Sequence, residues 1–410
     1  MSRLLVSITC LAAALSASPA CADDESGAPR FTFSGFGTLG LVHSSEDQAD
    51  FSSSTFKPDG AGYTRTWSPA VDSLIAAQLT ARLTSKFSAV VQVIAEQNAD
   101  GAYEPHVEWA NIKYQVSPDF SIRVGRTVLP SFLLTESRKV GFTYPWVRPP
   151  LEGYRVLPVT NNDGADISYR MHAGEFTSTF QANAGENNIE SPEGTGRVRR
   201  SWGISYTAEY ASLTARVTYQ KTNLTIGSLN ALFAGFRQFG PEGVAIADAY
   251  DVDDKPLPIL AIGVGYDPGQ WFVMGERGAG GTDSVLGKRK GWYVSGGYRY
   301  GPFTPYLTYA EGGADNLSDP GLTVAALPPF LRGPATGLNA ALNSILSSKA
   351  VQNTASIGAR WDFANNFDLK LQFDHTDIGA GSTGTFINIQ PGFQLGGKVN
   401  LFSATIDFVF

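Results

Sequence analysis

Four histidines, His43, His106, His172 and His375, are the residues of this 410-residue chain best suited to moving protons near neutral pH. Glu108, Asp374 and Asp377 stand near two of them in sequence, the raw material for general acid–base work. A serine nucleophile of the elbow type needs G-x-S-x-G, and that string is absent. The only thiols are Cys10 and Cys21. Asp248 with the run Asp251-Val252-Asp253-Asp254 offers carboxylates at alternate positions. It lacks the glycine and distal glutamate of a dedicated calcium loop, so a solvated acidic loop is expected. Gly40, Gly141 and the glycines of 278–281 do not open a helix after a buried strand, so they make no phosphate cradle. No catalytic residue, metal or cofactor is therefore expected.

The chemistry that remains is electrostatic. The segment 124–160 reads VGRTVLPSFLLTESRKVGFTYPWVRPPLEGYRVLPVT, in which Glu136, Arg138, Lys139, Arg148, Glu152 and Arg155 are set among Leu, Phe, Tyr and Trp. A charged loop in water has no use for so many apolar anchors, so the segment must bury much of itself against another surface. What that surface is depends on the elements around it.

The N-terminus reads MSRLLVSITCLAAALSASPACA, with a cation at Arg3, a short apolar stretch and small residues up to Ala22. This is the layout of a secretory signal spanning 1–22, with the exported chain 23–410 as one domain. Ser18 stands where a lipoprotein signal would carry a large aliphatic residue before Cys21. Cleavage removes both cysteines, leaving no disulfide and no thiol chemistry. The formal net charge of −7 argues against a nucleic-acid partner, which would select a basic surface. Mean hydropathy is −0.09, too low for a bundle of membrane helices, each needing about 20 apolar residues.

Along 23–410 the repeating signal is alternation at period two in segments of about ten residues, the length a tilted strand needs to cross a bilayer. Ile75, Ala77, Leu79, Ala81 and Leu83 share one face, and Gln78, Thr80, Arg82 and Thr84 the other. Phe402, Ala404, Ile406, Phe408 and Phe410 oppose Leu401, Ser403, Thr405 and Asp407 in the same way. Seven short turn signals stand at 85–86, 117–119, 173–174, 211–212, 267–269, 301–302 and 365–366. They alternate with eight longer connections near 44–71, 99–105, 130–164, 185–199, 225–256, 278–289, 313–350 and 378–397. The count predicts sixteen antiparallel strands with both ends on the short-turn side. A soluble sandwich also alternates, but here the polar faces carry Arg, Lys, Asp and Glu, as a wet interior would. Aromatics gather near strand ends, as at Tyr114, Phe120, Trp271, Tyr298 and Trp361, which suits interfacial girdles. The fold class expected is all-β, a transmembrane antiparallel barrel. Leu229, Leu232, Phe233, Phe236 and Phe239 fall at helical spacing in the fifth long connection, and Leu338, Leu342, Ile345 and Leu346 in the seventh.

The opening segment 31–43 with Gly35, Gly37 and Gly40, the strand ending in Val124-Gly125-Arg126, the following Tyr144-Pro145-Trp146-Val147-Arg148-Pro149-Pro150 and the terminal Phe410 together resemble the bacterial outer-membrane porins of the sixteen-stranded type. The resemblance covers the whole exported chain. It implies a cofactor-free, water-filled channel for passive diffusion of ions and small hydrophilic solutes, in the outer membrane of a Gram-negative cell. It also implies a homotrimer, contact with outer-membrane lipid and lipopolysaccharide, export through the periplasm, and a final strand read by the barrel-insertion machinery. The third long connection, 130–164, would fold into the lumen and set the narrowest point.

Carried onto this chain, the constriction would gather Arg82, Lys113, Arg123 and Arg126, which face inward by alternation, with Glu136, Arg138, Lys139, Arg148, Glu152 and Arg155 of the loop. Cation-leaning porins set an acidic third loop against a basic wall. This loop departs from that pattern, with more cations than acids, and so predicts a mild preference for anionic solutes. Some of these cations could instead serve as lipopolysaccharide contacts or as pairs for Glu136, Glu152 or Glu96. Two other readings stand beside the general pore: a channel selective for a sugar or an organic anion, and an outer-membrane barrel enzyme.

Overall fold

A computed structural model describes residues 30–410 apart from 316 and 349; the signal expected at 1–22 lies outside the described residues. Sixteen long strands follow in order: β1 (Arg30–Ser44), β2 (Leu74–Arg82), β3 (Phe87–Glu96), β4 (His106–Ser117), β5 (Phe120–Val128), β6 (Asn161–Ala173), β7 (Phe176–Ser191) and β8 (Gly194–Tyr210). The second half holds β9 (Leu213–Ile226), β10 (Lys255–Tyr266), β11 (Trp271–Gly281), β12 (Lys288–Tyr298), β13 (Phe303–Ala314), β14 (Gln352–Ala364), β15 (Phe367–Ile378) and β16 (Gly397–Val409). Each pairs antiparallel with its neighbours in sequence, and β1 pairs with both β2 and β16, so the sheet closes on itself and has no free edge. A two-residue stub, Trp67–Ser68, adds to β1 from the first loop.

The faces are inverted relative to a soluble protein. Ile112, Leu307 and Ile357 are 53%, 63% and 57% exposed on the outside, while Gln92, Ser205, Thr308, Gln372, Ser403 and Asp407 are buried on the inside. An aqueous protein with this many bare aliphatic residues in one belt would aggregate, whereas lipid covers such a belt without cost. That arrangement excludes the soluble sandwich. Phe87–Tyr114, Tyr266–Trp271, Phe303–Trp361 and Phe367–Phe408 pair across neighbouring strands near the short turns, with ring centroids 4.7, 5.3, 5.7 and 5.8 Å apart. These pairs form one girdle. Trp202–Tyr219 and Trp292–Tyr309 mark the other end of the strands.

All seven short turns lie where the turn residues predicted them. Gly174 and Asn366 sit at φ +63° and +69°, the left-handed conformation that tight hairpins need and that these two residue types tolerate. The fourth long connection is different from expectation. The sequence predicts a loop over 185–199, because the polar string GENNIESPEGTGRVR shows no apolar alternation. In the structure β7 runs to Ser191 and β8 starts at Gly194, with register shifts between Gly185 and Asn187 and between Arg199 and Trp202. Backbone pairing alone extends this hairpin past the lipid belt, where neither face needs to be greasy.

The fifth and seventh connections hold α2 (Asn230–Arg237), α3 (Gly240–Tyr250) and α4 (Pro329–Ser347), while α1 (Leu151–Tyr154) is a single turn in the third. Phe233, Phe236, Ile246, Leu342 and Leu346 bury together with Val198 and Leu224 of the barrel. The helical spacing read in these loops thus forms a small apolar layer over the strand ends.

Candidate pore constriction

The third long connection, 129–160, is held by the inner faces of strands far from it in sequence. Its backbone N–H at Leu133 donates to Glu276 Oε2 on β11 at 2.7 Å, and the Tyr154 hydroxyl donates to Oε1 of the same carboxylate at 2.5 Å. Tyr293 of β12 adds a third donor at 2.8 Å. Trp146 Nε1 donates to Ser295 Oγ at 2.7 Å. From the opposite direction, Arg360 Nη1 on β14 donates to Phe142 O at 2.6 Å and Lys370 Nζ on β15 to Gly141 O at 2.5 Å. Aromatic side chains fill the space between: Phe132, Tyr144, Trp146 and Tyr154 share a buried cluster with Phe272, Tyr293 and Tyr306 of the strands. This accounts for the apolar anchors that a solvated loop would not have.

The charged residues expected at the constriction fall into three environments. Arg148 is buried and forked onto Asp72, at 2.8 Å from Nε and 2.6 Å from Nη2, with Asp374 at 3.5 Å and Ser403 Oγ at 2.8 Å. Lys139 Nζ lies 2.5 Å from Glu96 and 3.3 Å from Glu108. Burial works against its ammonium, but the two carboxylates overcome that and hold its pKa above the usual lysine value. Glu152 is buried, its Oε1 accepting from Gln352 Nε2 at 2.6 Å and Thr354 Oγ1 at 2.5 Å. Arg138 is spent on carbonyls, those of Leu157 at 2.9 Å and Tyr154 at 3.2 Å, and lies 5.0 Å over the Tyr154 ring. These four side chains hold the loop in place.

A second group is paired but accessible. Arg123 meets Asp166 at 2.9 Å and Glu136 at 3.6 Å, and Arg126 meets Asp163 at 2.7 Å. The third group carries charge without a carboxylate partner among the described residues: Arg82, Lys113 and Arg155. Register puts Arg82 opposite Ser88, Ser88 opposite Lys113, and Lys113 opposite Arg123. Three cations thus follow one lateral row of the inner wall across β2 to β5, at strand spacings of about 4.8 Å.

Sequence reasoning missed the acids on the wall. Asp163 and Asp166 of β6 face Arg126 and Arg123 directly in the β5–β6 register, a pairing that alternation carried across the third loop would have revealed. Asp72 and Glu276 gave no such signal, because their partners lie 76 and 143 or 122 residues away. The histidines are dispersed. His172 Nδ1 bonds Thr177 Oγ1, His375 Nδ1 bonds Asn400 Oδ1, His43 leans on Trp67, and His106 sits 3.8 Å from Glu96. The acidic run is neutralised locally: Arg237 bonds Asp248 and Asp251, and Arg200 bonds Asp254. Among the described residues no group of three or more metal-ligating side chains converges.

The family model of the Gram-negative porins matches residues 8–405. No curated protein matches the chain. Among solved structures, the anion-selective porin of Comamonas acidovorans is similar at TM-score 0.55 and 13% identity, over 93% of this chain and 100% of that one. OmpF of Salmonella typhi, in complex with daunomycin, gives 0.55 and 11%, over 95% of this chain and 100% of that one. The trimer form of in-vitro folded OmpT from Vibrio cholerae gives 0.50 and 10%, over 93% and 100%. At such identities the likeness speaks for the fold, and the match to the family model extends it to lineage. A closed barrel with a polar interior and a lipid-matched exterior suits a passive channel of the outer membrane, and this chain belongs to the Gram-negative porin family.

Proposed function

We propose that the third connection occupies the lumen and sets the narrowest section of the pore, and that this section favours small anionic solutes over cations. The observation that carries the preference is the lateral row Arg82, Lys113 and Arg123 on β2 to β5, with Arg155 on the loop. Facing these stand Asp166 and Glu136, both engaged by Arg123. Of the other loop charges, Lys139 and Arg148 are cancelled in ion pairs, and Arg138 and Glu152, of opposite sign, are held by neutral groups, so they contribute position and little field. Low-dielectric walls focus the surplus positive potential onto passing ions, despite the acidic whole. The full account is of a homotrimer that sits in outer-membrane lipid and lipopolysaccharide. Its signal 1–22 is removed on export, and it is inserted by the barrel-insertion machinery through the strand ending in Phe410. It needs no cofactor and performs no catalysis. Reversal potentials in a KCl gradient across a planar bilayer test the preference. A shift to the anion side supports it, and a cation preference overturns it.

A further inference from the structure

Away from the β2 to β5 row, two guanidiniums stand near each other at the long-loop end of the opposite wall. Arg155 closes α1, and one of its nitrogens, Nη1, donates to Thr385 O at 2.7 Å. Arg289 is the second residue of β12, on the inner face with Gly291 and Tyr293. Among the described residues its side chain has no hydrogen bond or ion pair, while its backbone pairs with β11 and β13. The packing of α1 sets their approach. Gly291 lies so close to the Glu152 carbonyl that a Cβ there would collide with it, and Gly312 of β13 rests against the Glu152 side chain. α1 is thereby pressed onto β12 and β13, and Arg155, the residue that follows it, comes within range of the Arg289 charge. Burial first, and then the Arg289 charge, lower the Arg155 pKa to about 10, with Glu152 opposing them.

Among the described residues only Glu152 opposes that repulsion, and no carboxylate forms an ion pair with either guanidinium. The Glu152 carboxylate already accepts from Gln352 and Thr354, and Lys288, Lys290 and Glu311 alternate onto the outer face with Trp292 and Tyr309. The Thr385 hydroxyl, next to the carbonyl that holds Arg155, is buried and has no hydrogen-bond partner. Two cationic forks and an unused hydroxyl are what an oxyanion would satisfy, because guanidinium groups bind planar oxyanions through paired N–H donors.

We propose that Arg155, Arg289 and the Thr385 hydroxyl form a binding subsite for solutes carrying a carboxylate or phosphate group. The subsite rests on the anion-favouring pore proposed above and adds a saturable station to it.

Single-channel recording of the full-length protein in KCl, titrated separately with succinate and with inorganic phosphate, tests this. The wild type is expected to conduct and to be blocked saturably by at least one probe at millimolar concentration; which one blocks identifies the oxyanion. R289Q is expected to raise the half-blocking concentration at least tenfold and R289K to restore part of it, with KCl current reporting that each variant barrel has formed. Conduction without block by either probe, or equal block of wild type and R289Q, overturns the subsite while leaving the pore intact. Absence of any wild-type current overturns the pore and the subsite with it.

Discussion

At the scale of single residues, third-loop charge divides into fasteners and field. Arg148 is the clearest fastener, because its removal would leave Asp72 and Asp374 close together in a buried site. Breaking a buried pair from one side costs about 3–5 kcal/mol, mostly as the penalty of the orphaned charge. R148M should therefore lower the thermal midpoint of the folded barrel, and adding D72N should recover part of the loss; equal midpoints for wild type and R148M would contradict the clamp. Lys139 behaves differently with pH. Its pKa is raised by Glu96 and Glu108 against burial, so its stabilisation is fully present below the ordinary lysine value of about 10.4 and is lost only as pH rises through the higher folded value. The difference in midpoint between wild type and K139M should stay constant from about pH 7 to about pH 9, a window that lies below both values.

Between elements, the third connection is pinned at both sides of the ring by different chemistry. On β11 and β12 one carboxylate, Glu276, gathers the Leu133 N–H and the Tyr154 and Tyr293 hydroxyls. Hydrogen bonds to charged groups contribute about 1.5–3 kcal/mol each. Y154F should therefore loosen the loop, seen as added open-channel current noise with the barrel still formed; unchanged noise would argue against this anchor. The helices α2, α3 and α4 rest on a core of their own. F236A should cost about 3–5 kcal/mol there and raise hydrogen exchange in 230–250 and 329–347 with little change in the strands. The strands themselves were legible from alternation because each must satisfy lipid on one face and water on the other. The β7–β8 extension was not, because beyond the lipid belt that requirement ends and only backbone pairing, invisible in composition, remains.

For the whole molecule, the sequence carries the barrel far better than the pore. Alternation, seven turns and the terminal Phe410 suffice for a closed ring, since closure removes edges whatever the details. The sign of the lumen field is a different kind of quantity: a small remainder after Arg123, Arg126, Arg148 and Lys139 find acids on other elements. Counting loop charges alone overstated the surplus, because Asp72, Asp163, Asp166 and Glu96 reach these cations from strands or other loops. What survives is Arg82 and Lys113 of the lateral row, with Arg155 and Arg289 on the far side. The most direct test is the reversal potential of the wild-type channel in a KCl gradient, repeated for R82E with K113E. The account predicts an anion-side potential for the wild type that moves toward the cation side in the double variant and shrinks as ionic strength rises. A cation-side potential in the wild type, or one indifferent to the double substitution, would contradict it.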